Sequence, residues 1–82
     1  MNALHVDLLL ALRPAADFGL AAADLLTDMR RGRHSALTLP EIERALRELA
    51  DRSFVFFFTS PLGSKRWRIG ALGVSALQEE KL

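Results

Sequence analysis

The segment from Thr38 to Leu77 constrains the fold most, because its hydrophobic period switches from helical to alternating and back again. Thr38-Leu39-Pro40-Glu41 opens a helix. Thr38 and Glu41 stand at capping-box spacing, and Pro40 is tolerated in a first turn, where its missing N–H has no intrahelical partner. Leu39, Ile42, Ala45, Leu46 and Leu49 form the apolar stripe, and the helix is predicted to end near Arg52. Residues 54–59 then read as an aromatic strand. Pro61 and Gly63 supply turn chemistry. Arg66-Trp67-Arg68-Ile69 returns as a second strand, with Trp67 and Ile69 on one face and Arg66 and Arg68 on the other. A last helix is predicted from Ala71 to Lys81, presenting Leu72, Val74, Ala76 and Leu77. The order of helix, basic-tipped ribbon and helix predicts an α+β domain.

Upstream, Asn2 caps a first helix over Ala3–Leu12, where Leu4, Val6, Leu8, Leu9, Leu10 and Leu12 leave little polar surface. Such a helix is predicted to be covered on more than one side. Pro14 is predicted to end it by pushing Arg13 out of helical angles, with Ala15–Gly19 as a connection. A second helix over Ala21–Arg31 places Ala22, Leu25, Leu26 and Met29 on one side, and Gly32 is predicted to stop it in the left-handed conformation. No repeat, linker or low-complexity stretch divides residues 1–82, so the expectation is one domain.

A chain of 82 residues buries only about 60–65% of its unfolded surface, and thin cores of this kind gain from a partner subunit. The excess of leucine on the first helix therefore predicts a homodimer built from the terminal helices, with Leu4, Leu8 and Leu77 at the interface. The apolar content of 50% argues against disorder. No apolar run is long enough to span a bilayer, and Met1–Leu12 lacks the basic start and small-residue cleavage site of a signal peptide. With no cysteine there is no disulfide framework and no thiolate metal site. The expected address is cytoplasmic, with no membrane partner.

The layout resembles winged helix-turn-helix transcription regulators, most closely the PadR-like and MarR-like groups. The resemblance covers Leu8 to Leu77. Asp7-Leu8-Leu9-Leu10-Ala11-Leu12 followed by Phe18-Gly19-Leu20-Ala21-Ala22-Ala23-Asp24-Leu25 is similar to the passage between the first two helices of PadR-like proteins. Ile42-Glu43-Arg44-Ala45-Leu46-Arg47-Glu48-Leu49, ending in Ser53-Phe54-Val55, resembles the third helix and the start of the wing. Lys65-Arg66-Trp67-Arg68-Ile69-Gly70-Ala71-Leu72-Gly73 resembles the wing strand running into the last helix. The family implies a three-helix core with a two- or three-stranded β-wing and a C-terminal helix. Its third helix reads the major groove of double-stranded DNA, and its wing touches the backbone. The chain departs from the pattern at Ser53, where the family has glycine, and at Gly70, where it has threonine. Pro40, Glu41 and Glu43 replace the small hydroxyl or tyrosine residues at the start of the reading helix.

The charge map fits that expectation in part. The net charge is only +1, but no acid occurs between Met29 and Pro40 or between Arg52 and Gln78. Arg30, Arg31, Arg33, Lys65, Arg66 and Arg68 fall in those windows. On the implied frame they flank the groove and contact phosphates, while Arg44 and Arg47 reach guanine edges. Against this, the third helix carries Glu41, Glu43, Glu48 and Asp51 against Arg44, Arg47 and Arg52, one negative charge in excess. The rival reading is a winged-helix module that contacts another protein and does not bind DNA. With Phe54, Phe56 and Phe58 inward beside Trp67 and Ile69, Phe57 points outward beside Arg66 and Arg68, a composition enriched at protein interfaces. Alternatively Phe57 is covered by the domain's own first strand or terminal helix.

Chemistry for an enzyme is sparse. His5 reads as a core-edge or capping residue, and His34 as a solvated loop residue, with no partner at metal-ligand spacing. Ser60, Ser64 and Ser75 have no nucleophile-elbow motif around them, and Gly63, Gly70 and Gly73 do not form a phosphate loop. The expectation is a non-enzymatic binding domain with no cofactor and no metal.

Overall fold

The computed structural model describes all residues from Met1 to Leu82. Four α-helices and one antiparallel hairpin make an α+β domain: α1 (Ala3–Leu12), α2 (Ala22–Arg31), α3 (Leu39–Asp51), β1 (Val55–Thr59), β2 (Lys65–Ile69) and α4 (Ala71–Glu79). A short 3₁₀ segment, Arg13–Phe18, joins α1 to the residues before α2.

Helix α1 is the hub. His5, Leu8, Leu9 and Leu12 are buried, and α2, α3, α4 and β2 all pack around it. Its near-continuous apolar surface is therefore covered by the chain itself. Leu8 and Leu77 are 0% exposed within one core with Leu25, Ile42, Leu46, Leu49 and Val55, and Leu4 packs half-buried against the same cluster. The expected subunit interface through Leu4, Leu8 and Leu77 is thus corrected: Leu8 and Leu77 have no surface left for a second molecule.

Pro14 does not expel Arg13 from helical angles. Arg13 keeps φ −55, ψ −47 and its N–H bonds Leu9 O, because Pro14 falls in the first turn of the 3₁₀ segment, where its missing donor costs nothing. The turn of the chain comes later, at Ala16 (φ 48) and Gly19 (φ 67). A Cβ on Gly19 would lie 2.4 Å from Trp67 O, so glycine allows Leu20 to approach β2. Leu20 N–H donates to Trp67 O at 2.8 Å and Trp67 N–H to Leu20 O at 2.9 Å, which adds a one-residue third strand to the hairpin.

Helix α3 follows its sequence closely. Ile42, Ala45, Leu46 and Leu49 are buried, but Leu39, at the first helical position, lies beyond the edge of the core and is exposed. At the other end Ser53 N–H bonds Ala50 O at 2.9 Å and Phe54 N–H bonds Leu49 O at 3.0 Å. This is the Schellman pattern, and it requires Ser53 at φ +61, a left-handed angle that glycine adopts without strain. Gly32, expected in that conformation after α2, has φ −93 and ψ −139 and lies outside the left-handed region.

The hairpin pairs Val55 with Ile69, Phe57 with Trp67 and Thr59 with Lys65. Residues directly opposite share a face, so Val55 and Phe57 lie on the side of Trp67 and Ile69. Phe56 and Phe58 share the other side with Arg68 and Arg66. The expected facing of β1 is therefore reversed. Gly70 and Gly73 fit α4 against this hairpin: a Cβ would meet the Phe56 ring at Gly70 and the Phe54 carbonyl at Gly73, each at 2.4 Å. The Phe56 ring thus stands where a threonine cap would need room. No helix is long and apolar enough to cross a membrane.

Candidate functional site

At 100° per residue, α3 turns Pro40, Arg44, Arg47 and Asp51 directly away from Ile42, Ala45, Leu46 and Leu49; all four outward residues are exposed. The remaining acids of α3 stand to the sides, and each has a neighbour within the chain. Glu41 Oε1 accepts from the Thr38 hydroxyl at 2.7 Å and from Thr38 N–H at 3.1 Å. These bonds, the hydroxyl's first, hold its pKa below the usual carboxylate value. Glu48 Oε1 lies 3.4 Å from His5 Nε2, on the flank that meets α1. Glu43 Oε2 lies 3.9 Å from Arg47 Nη2, a loose i,i+4 pair on the flank that meets the hairpin. Arg44 makes no ion pair.

Between α3 and the hairpin runs a shallow cleft lined by Ala22, Glu43, Arg47, Phe57, Lys65 and Trp67. Its floor is aromatic. The Phe57 and Trp67 rings meet edge to face with centroids 5.0 Å apart. Lys65, at the start of β2, is exposed at the rim. Three of the predicted DNA contacts, Arg44, Arg47 and Lys65, therefore fall together on the outward side of α3 and its cleft.

The other predicted contacts are not brought to that surface. Arg33 makes a two-pronged pair with Asp7, Nε to Oδ2 at 2.7 Å and Nη2 to Oδ1 at 2.9 Å. His34 Nε2 donates to the same Oδ2 at 2.7 Å. The Arg33 bond is the main reason the Asp7 carboxyl is held below its ordinary value, against the opposing effect of burial. His34 is thus a half-buried strut between α1 and the turn before α3, which corrects its reading as a solvated loop residue. Arg30 stays exposed but is held by its own loop, its Nε donating to Leu37 O at 2.8 Å. Arg31 remains solvent-exposed at the carboxyl end of α2. The pleat of β2 sends Arg66 and Arg68 to the face opposite Lys65 and Trp67. There Arg68 lies over the Phe56 ring, 4.9 Å from its centroid, and Arg66 Nη1 approaches Phe18 O at 3.4 Å. Each of the two basic trios is thus divided, by ion pairing in the first and by strand alternation in the second.

Two prominent residues lie outside the sequence-based expectations. Phe18 is 82% exposed and Leu62 95% exposed. With Phe58, Pro61 and Arg66 they border a depression behind the hairpin, and Arg66 Nε lies buried beside it without a partner. Leu62 was legible in principle, because an apolar residue between Pro61 and Gly63 at a hairpin tip has no core to reach. Phe18 was not, since only the turn at Ala16 and Gly19 decides where its ring points. Compared with protein-family models, curated proteins and solved structures, the chain matches none.

Proposed function

We propose that the chain is a winged-helix domain that binds duplex DNA, with α3 in the major groove and Lys65 on the adjoining backbone. In support, the two-stranded hairpin with Leu20 bridged to β2 is compatible with a wing, and the turn between α2 and α3 is compatible with a helix-turn-helix. One observation carries the functional reading: α3 presents Arg44 and Arg47 outward while Glu41 and Glu48 are drawn to its flanks. Arginine is the side chain best suited to the paired acceptors of guanine. Lys65 serves as a phosphate contact, the kind of contact that carries most of the affinity and its salt dependence. Glu43, beside Arg47, weakens binding to any sequence.

A second reading is favoured by the back of the hairpin. Phe18, Phe58 and Leu62 around Arg66 form an apolar surface with a guanidinium at its edge, the composition of a protein contact. Fluorescence anisotropy with a labelled mixed-sequence duplex at low salt separates the two. Under the DNA reading, the double variant R44A/R47A loses at least about ten-fold in affinity, and R66A/R68A binds as wild type. Absence of binding by the wild-type chain at low salt overturns the DNA reading and leaves the second.

A further inference from the structure

We infer that two copies of this chain join through the free edge of β1, pairing antiparallel about a two-fold axis at Phe58. The direction of each backbone group follows from the bonds around the hairpin. Trp67 spends its N–H and C=O on Leu20, away from β1. Ser60 N–H bonds Ser64 O at 2.8 Å and Gly70 N–H bonds Phe54 O at 2.9 Å. In this register the even-numbered residues of β1 exchange bonds with β2. The odd-numbered ones, Val55, Phe57 and Thr59, direct their N–H and C=O groups outward, to the open edge. Val55 is wholly buried, where α3 packs on β1. Phe57 and Thr59 are exposed, and neither bonds to any other element.

An open edge of this kind is a template for another strand, and soluble proteins ordinarily blunt it with lysine, proline, a bulge or a covering loop. Apart from its short length of five residues, β1 has none of these devices. Phe54-Val55-Phe56-Phe57-Phe58-Thr59 holds no charge and no proline, and its pairing with β2 is unbroken. The occupant is a second copy: the strand meets itself without like-charge repulsion, and its own register is self-complementary. A two-fold at Phe58 sets Phe57 opposite Thr59 of the other copy and Thr59 opposite its Phe57. Both are outward-bonding residues, so the register forms two complete hydrogen-bonded pairs without using the buried Val55. Phe58 then faces its own copy in the closer, non-hydrogen-bonded spacing, where aromatic side chains interact best. This interface replaces the one expected from the terminal helices, and it requires no DNA.

Sedimentation equilibrium of the full chain without DNA, across micromolar to submillimolar concentrations, tests the inference. The wild type is expected to approach twice the monomer mass of 9.1 kDa. Thr59→Pro removes only an outward N–H, a position where an edge strand accepts proline, and is expected to sediment as monomer with unchanged circular dichroism. Phe57→Lys places a charge on the edge and is expected to weaken association at least about ten-fold; it decides the matter if Thr59→Pro fails to fold. Amide exchange at Phe57 and Thr59 should slow as the wild type associates. A wild type that stays monomeric throughout, or a dimer unaffected by both substitutions, overturns the inference.

Discussion

Ser53 holds the joint between α3 and the hairpin, and its replacement by glycine tests how that joint works. The residue sits at φ +61, where an L-residue is disfavoured by roughly 1–2 kcal/mol relative to the right-handed region. Its hydroxyl makes no hydrogen bond, so nothing polar is lost with the side chain. Both backbone bonds of the cap, Ser53 N–H to Ala50 O and Phe54 N–H to Leu49 O, are main-chain bonds that glycine keeps. Against the relief stands the greater freedom of glycine in the unfolded chain, about 0.4–1 kcal/mol. The balance is a stabilisation centred on about 0.8 kcal/mol within a span of about 0–1.6 kcal/mol, or about 3–6 °C in Tm at its centre for a domain of this size. Thermal unfolding followed by far-ultraviolet circular dichroism measures it, with Ser53→Val as the opposing control, since a β-branched residue is least tolerated at positive φ. A glycine variant melting at or below the wild type would refute the reasoning, as would a valine variant equal to it.

Two further outcomes follow from the charged groups. The Asp7 carboxyl is held below its ordinary value of 3.8, chiefly by Arg33. Its folded pKa is depressed, so its stabilising contribution is complete above the ordinary value and lost as pH falls through the folded one. Asp7→Asn should therefore lower the urea midpoint at neutral pH, and the gap to wild type should close on acidification below 3.8; a gap unchanged by acid contradicts this. Glu43→Gln removes the acid beside Arg47 and should raise duplex affinity about two- to five-fold at low salt. Glu48→Gln, on the flank facing α1, should leave affinity unchanged, and equal effects of the two would place the DNA surface elsewhere.

How far the fold was legible depended on whether its cause was local. The third helix was readable because its cap, its proline and its apolar stripe all lie within its own span; only Leu39 escaped, since the edge of the core is not written in the helix itself. The facing of β1 was not readable from β1. Its aromatic run is apolar on both faces, and its parity is set by the turn: Thr59 meets Lys65 across Ser60–Ser64, which pairs odd residues with odd. Trp67 and Ile69, alternating with arginines, already marked the inner face of β2, and carrying that register back across the turn recovers Val55 and Phe57. The basic site was legible only in part for a different reason. Arg33 and His34 are claimed by Asp7, a residue on α1 brought near by tertiary packing alone, and Arg30 by the carbonyl of Leu37. The sequence counts cations but does not reveal which of them the fold has already occupied.

Titration of the isotopically labelled chain with a mixed-sequence duplex at low salt, followed residue by residue in amide correlation spectra, tests the proposed surface most directly. The outward residues of α3 from Pro40 to Arg47, together with Lys65, should shift, with the side-chain signals of Arg44 and Arg47 moving most and Arg33 remaining still. Shifts confined to Phe18, Phe58, Leu62 and Arg66, or none at all, would contradict the assignment of α3 as the DNA-contacting element.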